Sequence, residues 1–111
     1  MSIPYGGVIG NEVSDEHLWS HGLEMTDAEE VWAGPAKYFP QPAQSKVDEY
    51  GREHQQPERM MMVGPDRNRR LLTFILELPD RNRTCHVVTG WPSKRGERTR
   101  YHQPGGRMRI R

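Results

Sequence analysis

The residues of this chain best suited to chemistry lie near its C-terminal end, where basic and aromatic side chains share one short segment. If residues 94–102 form a helix at 100° per residue, an arc of roughly 120° holds Lys94, Arg95, Arg98, Tyr101 and His102. Glu97 and Arg100 fall outside this arc. Like charges one turn apart repel each other, so local stability does not explain the pattern. A bound polyanion would explain it, because guanidinium groups bind phosphates bidentately; a solvated basic face without a partner is the alternative.

The same segment offers the groups that RNA cleavage without a metal requires. Such cleavage needs a base for the 2′-hydroxyl proton, an acid for the leaving oxygen, and cations beside the phosphate. His21 and His102 could titrate near neutral pH, and the arginines are permanently charged. The candidate catalytic residues are His21, Arg95, Arg98, Tyr101 and His102, and the candidate RNA-binding residues are Lys94, Arg100 and Trp91.

Three of these candidates also have a structural alternative. His21 could be a surface or helix-capping residue, and Tyr101 could pack under the helix instead of donating a proton or stacking on a base. Trp91, between Gly90 and Pro92, could fill the space between a strand and the helix or form a platform on which an RNA base stacks. We favour packing for Trp91.

Two further pairs resemble known kinds of site. His17 and His21 are spaced i,i+4 as zinc ligands often are, but Leu18 stands where a metalloprotease has glutamate and no third ligand is near in sequence. Cys85 and His86 are neighbours in an expected strand, so they point to opposite faces and cannot form a nucleophile–base pair. We therefore expect no metal, no cofactor and a buried thiol at Cys85.

Composition and charge narrow the possible partners. The 111 residues suit one domain, and the hydrophobic fraction of 33% is below average. The net charge of +1 hides an asymmetry, because residues 1–58 sum to −8 and residues 59–111 to +9. The basic half would meet nucleic acid, or else the two halves complement each other within the molecule. A single cysteine, no apolar run that could span a membrane and no signal pattern favour a cytoplasmic protein without membrane contact.

The first third of the chain has few strong signals for secondary structure. Residues 1–13 are rich in glycine, so a flexible N-terminal arm is expected. Ser14 is a good N-cap and predicts a first helix over 15–21. A capping box at 26–29 predicts a second helix that ends at Gly34-Pro35. The buried residues expected on this second helix are Ala28, Val31 and Trp32.

Loop and then strand patterns follow. Residues 36–58 contain prolines and a run of glutamines, so a long loop is expected, with one turn of helix near Val47. Three strands are then predicted at 59–63, 71–78 and 85–89. The pentapeptide Pro-Asp-Arg-Asn-Arg occurs in both connections, and its turn chemistry predicts an antiparallel meander with 71–78 in the centre. The last strand is expected to break at residues 90–92, with a helix from Ser93.

These elements predict an α+β fold in which a small antiparallel β-sheet meander is packed with two N-terminal helices and one C-terminal helix. The fold would occupy a single domain over 14–103, followed by a basic C-terminal tail at 104–111.

Two segments, SHGLEMTDAEEVW and VVTGWPSKRGERTRYH, with a meander between them, resemble the BrnT-like toxins of type II toxin–antitoxin systems. That family belongs to the RelE/ParE-like superfold of small ribonucleases, and the resemblance covers roughly Ser14 to His102. The matching residues are His21, Gly22, Glu97, Arg98, Arg100 and Tyr101. Family members usually have a strand before the first helix, for which residues 1–13 show no pattern. They usually have Ser-Ala-Arg where this chain has Thr89-Gly90-Trp91.

The resemblance implies that residues 14–103 form a RelE-like toxin domain, a metal-independent endoribonuclease that cuts RNA and inhibits translation. It also implies neutralisation by a cognate antitoxin protein in a hetero-oligomer. Because Trp91 stands where the family has arginine, Arg95 or Arg98 would have to supply that charge. A non-catalytic protein- or RNA-binding module of the same fold, and an unrelated small basic regulator, are the alternatives.

Overall fold

The computed structural model describes residues 7–104 and 107–108. The helices are α1 (Glu12–Ser20), α2 (Met25–Ala33) and α3 (Arg95–His102). The strands are β1 (Gly7–Ile9), β2 (Lys37–Gln41), β3 (Gln44–Val47), β4 (Glu53–Gln56), β5 (Arg59–Pro65), β6 (Leu71–Glu77), β7 (Thr84–Pro92) and β8 (Arg107–Met108). Among the described residues, no helix has the length and apolar character needed to cross a membrane.

Six strands form one sheet in the order β1-β7-β6-β5-β2-β8, and β3 and β4 form a separate hairpin. The predicted meander of β5, β6 and β7 is the centre of this sheet, with Met61 opposite Ile75 and Phe74 opposite Gly90. All neighbours are antiparallel except β1, which pairs in parallel with β7. The prediction of an α+β fold with two N-terminal helices and one C-terminal helix is confirmed.

The sheet has an apolar core on each face because side chains alternate along β6. Leu72, Phe74 and Leu76 face the first two helices, and Ile75 faces the other side. The α1/α2 core includes Leu18, Leu23, Val31, Trp32 and Met62, and the α3 core includes Phe39, Met61, Val63 and Ile75. Cys85 lies in the α1/α2 core, where burial raises the pKa of its thiol to about 11. The thiol is therefore buried, as expected.

One kind of turn closes three hairpins of the molecule. In each, an aspartate Oδ1 accepts hydrogen bonds from the backbone N–H groups two and four residues later, at 2.8–3.0 Å. These aspartates are Asp48, Asp66 and Asp80. The residue three positions after each aspartate has a positive φ, and these are Gly51, Arg69 and Arg83. The repeated pentapeptide is thus turn chemistry, as predicted, and the β3–β4 hairpin uses the same geometry with another sequence.

The carboxylate of Asp66 is buried in its turn and also receives the Arg70 Nε–H at 2.8 Å. Burial raises its pKa, but the hydrogen bonds from Arg70 and Asn68 and the Arg70 charge outweigh burial, so the pKa is lowered overall. The stability it contributes is complete above the unfolded pKa of about 3.9 and is lost as the pH falls through the lower folded pKa.

We therefore expect Asp66→Asn to be less stable than the wild type at pH 7, since asparagine keeps the turn acceptor but not the charge. This difference should shrink as the pH falls below about 4. Urea unfolding of both proteins between pH 7 and pH 2.5 measures it. Two stability curves that stay parallel through this range would contradict the assignment.

The N-terminal region is more ordered than its sequence indicates. Residues 7–9 of the expected arm form β1, with Val8 buried opposite Cys85, while residues 1–6 lie outside the described part. Helix α1 begins at Glu12 because Asn11 is its N-cap, and the helix ends at Ser20. Asn11 Oδ1 accepts the Ser14 N–H at 3.0 Å, and Ser14 Oγ accepts the Asn11 N–H at 2.7 Å. Ser14 is thus the third helical residue rather than the cap.

The start predicted for α2 is also displaced. Its N-cap is Glu24, whose N–H donates to Asp27 Oδ2 at 2.8 Å, so the Thr26 capping box is not used. The helix ends with Gly34 as its C-cap, as predicted. Ala28, Val31 and Trp32 are buried, as predicted.

The long loop predicted for residues 36–58 is wrong. Strand β2 adds to the meander beside β5, with Tyr38 and Phe39 buried on opposite faces. Pro40 lies in this strand beyond the two positions that pair with β8, which fits the tolerance of outer strands for proline. Val47, where a helical turn was expected, ends β3.

Part of the expected basic tail, Arg107–Met108, forms the strand β8 on the edge of β2.

Strand β7 continues through the predicted break at residues 90–92. Gly90, Trp91 and Pro92 pair with Phe74, Thr73 and Leu72 of β6. This pairing requires glycine at position 90, because a side chain there would collide with the Phe74 ring. The corner between strand and helix is therefore at Ser93-Lys94, and α3 begins at Arg95 with Lys94 as its N-cap.

Candidate functional site

The first turn of α3 is fixed to the sheet through one carboxylate. Glu97 Oε1 accepts hydrogen bonds from Thr73 Oγ1 at 3.0 Å, Trp91 Nε1 at 2.9 Å and the Lys94 N–H at 2.8 Å. Ser93 Oγ, which is buried, lies 2.8 Å from Thr73 Oγ1. Glu97 thus links β6, β7 and α3, because its side chain points from the helix toward the sheet. These contacts hold the first turn of the helix that carries the exposed arginines Arg95, Arg98 and Arg100.

Tyr101, one turn after Glu97, also faces the sheet. Its hydroxyl donates to the Pro35 carbonyl at 2.7 Å, its ring packs on the α3 core, and burial raises its pKa. The Lys37 ammonium lies 5.5 Å from the ring centroid and donates to the Gln103 carbonyl at 2.8 Å. Tyr101 therefore lies beside the exposed basic face rather than on it, in the packing role given above as its alternative.

Arg98 and His102 are exposed one turn apart on α3 and border an open groove between α3 and the β5–β6 turn. This α3 groove is lined by Pro65, Arg69, Arg70, Leu71, Pro92, Ser93, Arg98, Tyr101 and His102. The exposed Arg69 sits in the turn at φ 65°, and Arg70 is ion-paired with Asp66 and Asp27. The fold thus adds two arginines from the turn to the two α3 residues predicted from the sequence.

Arg69 is not among the site residues predicted from the sequence, since it lies far from the basic segment along the chain. The signal that could have found it is the pairing of β6 with β7. Leu72 lies opposite Pro92, and this register brings the β5–β6 turn beside the start of α3.

A second group of predicted residues lies around Trp91. The ring of His21 meets the Trp91 ring edge-on with 6.3 Å between centroids, and the Lys94 ammonium lies 5.3 Å from the Trp91 centroid. His21 is the C-cap of α1, so its capping alternative is realised, although its ring also meets Trp91. The predicted residues therefore divide into the α3 groove and this group around Trp91.

The two other predicted arginines are placed separately. The Arg100 guanidinium carbon lies 4.3 Å from the centroid of the Phe39 ring, a stacking contact with the α3 core. Arg95 is exposed in the first turn of α3, where its carbonyl accepts from Thr99 Oγ1 at 3.0 Å. The basic arc drawn from an ideal helix is therefore divided in the structure. Arg98 and His102 border the α3 groove, whereas Lys94 is the extended N-cap beside Trp91 and Tyr101 turns toward the sheet.

Truncation of Trp91 tests its two possible roles. Its ring is half-buried against the α3 core and its Nε1–H binds Glu97, so we expect Trp91→Ala to lose about 1–2 kcal/mol of stability. This is below the roughly 3–5 kcal/mol of a fully buried aromatic residue. Thermal unfolding and RNA affinity are both measured, and Trp19→Ala, at an exposed tryptophan, is the matched control. An unchanged Tm with weakened RNA binding would show a stacking platform instead.

Comparisons of the chain with protein-family models, with curated proteins and with solved structures find no match. The function must therefore rest on the chemistry of the α3 groove and its surroundings.

Proposed function

We propose that this protein is a metal-independent endoribonuclease, the toxin of a type II toxin–antitoxin system. It would cut RNA in the cytoplasm, inhibit translation and be neutralised by a cognate antitoxin protein. The observation that carries this proposal is the α3 groove, whose lining combines Arg69 and Arg98 with His102. Arg70 also lines the groove, but Asp66 and Asp27 already balance its charge.

The groove suits a phosphodiester because its cations come from two independently held elements. Arg98 projects from α3, which the three hydrogen bonds of Glu97 fix to the sheet, and Arg69 projects from the Asp66 turn. Cations beside the phosphate stabilise the charge that grows on it in the transition state. A positively charged groove also attracts RNA at long range.

The chemistry assigned to the groove is attack of the RNA 2′-hydroxyl oxygen on the adjacent phosphorus. The 2′-hydroxyl loses its proton, the bond from phosphorus to the 5′-oxygen breaks, and that oxygen takes up a proton. His102 is positioned to carry out one of these proton transfers. Arg98, one turn earlier on the same face, would bind the non-bridging oxygens. His21 would take part only with RNA that also extends over Trp91.

Two features of the fold agree with the resemblance of the sequence to the BrnT-like toxins. Strand β1 stands before α1, where BrnT-like toxins usually have a strand, and the residues shared with that family around 97–101 lie on the helix that borders the groove. These features support the proposal.

A non-catalytic RNA- or protein-binding module is the second candidate. The observation that favours it is that few groups in the α3 groove could transfer a proton. Within the groove, His102 is the one histidine of the lining, and the Tyr101 hydroxyl is occupied by the Pro35 carbonyl. Binding without cleavage needs the cations alone.

Incubating the purified protein with single-stranded RNA in EDTA separates the two candidates. A ribonuclease of this mechanism leaves a 2′,3′-cyclic phosphate or 3′-phosphate and a free 5′-hydroxyl, and it needs no added metal. RNA that is bound but remains intact would identify the binding module. Cleavage that appears only with added Mg²⁺ would contradict the metal-independent mechanism.

A further inference from the structure

A second open groove lies on the α1/α2 side of the sheet, away from α3. This Trp19 groove is lined by Asp15, Glu16, Trp19, Leu23, Glu24 and Met25. Leu23 belongs to the α1/α2 core and Met25 packs against it, so the floor of the groove is continuous with the protein interior. It therefore lies on the opposite face of the sheet from the α3 groove.

Trp19 exposes an unusually large apolar surface. It is 71% exposed on α1, whereas its neighbour Leu18 is fully buried in the core. An exposed indole beside apolar atoms of the interior loses water contact only when another molecule covers it. Tryptophan contributes more to protein–protein binding than most residues, because it presents a large rigid surface with one hydrogen-bond donor.

The charge around the groove restricts what can cover it. Asp15, Glu16 and Glu24 are exposed at its rim, and the lining contains no basic residue. RNA or an anionic membrane would be repelled by these carboxylates. A second copy docking through the same surface would bring six carboxylates together around the paired tryptophans, which is also unfavourable. A segment rich in lysine or arginine has the complementary charge.

We propose that the Trp19 groove is the docking site for a basic segment of a partner protein, in which an apolar anchor residue is flanked by Lys or Arg. The anchor packs against Trp19 and Leu23, and the flanking cations pair with Asp15, Glu16 and Glu24. Because this groove and the α3 groove occupy opposite faces of the sheet, a partner bound here leaves the α3 groove open. The inference does not depend on the proposed ribonuclease activity.

The test uses the full chain as bait for a display library of random 15-residue peptides, with the Trp19→Ala protein in a parallel selection. We expect the wild type to enrich peptides with an aromatic or aliphatic residue flanked by Lys or Arg. The most enriched peptide is then synthesised with a fluorescent label and its Kd measured by anisotropy. Its affinity should fall at least tenfold with Trp19→Ala and with Glu16→Lys, and it should weaken as salt rises.

Tyr50→Ala is the matched control, because Tyr50 is 74% exposed and lies in the β3–β4 turn outside the groove. It should bind the peptide as the wild type does, and all three variants should keep the wild-type Tm since the replaced side chains are exposed. Enrichment of acidic peptides only, or of no peptide at all, would overturn the proposal. So would a basic peptide that binds the Trp19→Ala protein as tightly as the wild type.

Discussion

Under the proposed ribonuclease function, replacing Arg98 by alanine is expected to lower the rate of RNA cleavage by about 100-fold or more, the effect of removing one donor from a developing charge. The side chain is exposed at the α3 groove, so its loss should change the free energy of unfolding by less than about 0.5 kcal/mol. A fluorogenic RNA substrate in EDTA measures the rate, and a thermal scan measures the stability.

The matched control is Arg81→Ala. Arg81 is an exposed arginine in the β6–β7 turn, at the end of the sheet opposite to the β5–β6 turn that borders the groove. Removing it lowers the net charge by the same amount, so any loss of activity from weaker general attraction of RNA appears in both variants. Equal rates for the two variants would remove Arg98 from the catalytic assignment.

Replacing Gly90 by alanine should cause the largest loss of stability, near the upper end of the roughly 1–3 kcal/mol typical of overpacked cores. A Cβ at this position would lie 2.8 Å from Cε1 of Phe74 and 3.0 Å from Cδ2 of Leu18. Both side chains are fully buried in the α1/α2 core, so neither can move without disturbing its neighbours.

Gly96→Ala is the comparison for this change. Gly96 lies in α3, and a Cβ there meets no other atom within 4 Å. Alanine in a helix is favoured over glycine, so this variant should gain about 0.4–1 kcal/mol. Chemical denaturation of both variants checks the pair of expectations. A Gly90→Ala protein as stable as the wild type would mean that β7 is not packed against α1 as described.

The sequence predicts the parts of the fold that carry a strong hydrophobic pattern. Strand β6 is apolar on both faces, so it is recognisable as a central strand, and the Pro-Asp turns on either side define the meander. Strand β2 is different, because Pro40 and the surrounding polar residues are typical of a loop. Its assignment depends on Tyr38 and Phe39 finding a partner in β5, which local sequence does not indicate.

The residues of the candidate site also differ in how well the sequence predicts their positions. Arg98 and His102 are found by helical spacing alone, because they are exposed neighbours on one helix. The positions of Tyr101 and Glu97 depend on what lies beneath α3, namely the Pro35 carbonyl and the Thr73 hydroxyl. An ideal helical wheel has no information about these tertiary partners, so it placed Tyr101 on the exposed arc and left Glu97 without a role.

The parallel pairing of β1 with β7 has a consequence for the order of folding. Val8 lies opposite Cys85, so two segments near opposite ends of the chain meet side by side. Closing so long a loop is slow and entropically costly, and it gains little until the strands between the two segments have formed. The meander, built from short local turns, can form first. Strand β1 and the helix that follows it would then dock onto the finished edge, as the last part of the chain to reach its native place.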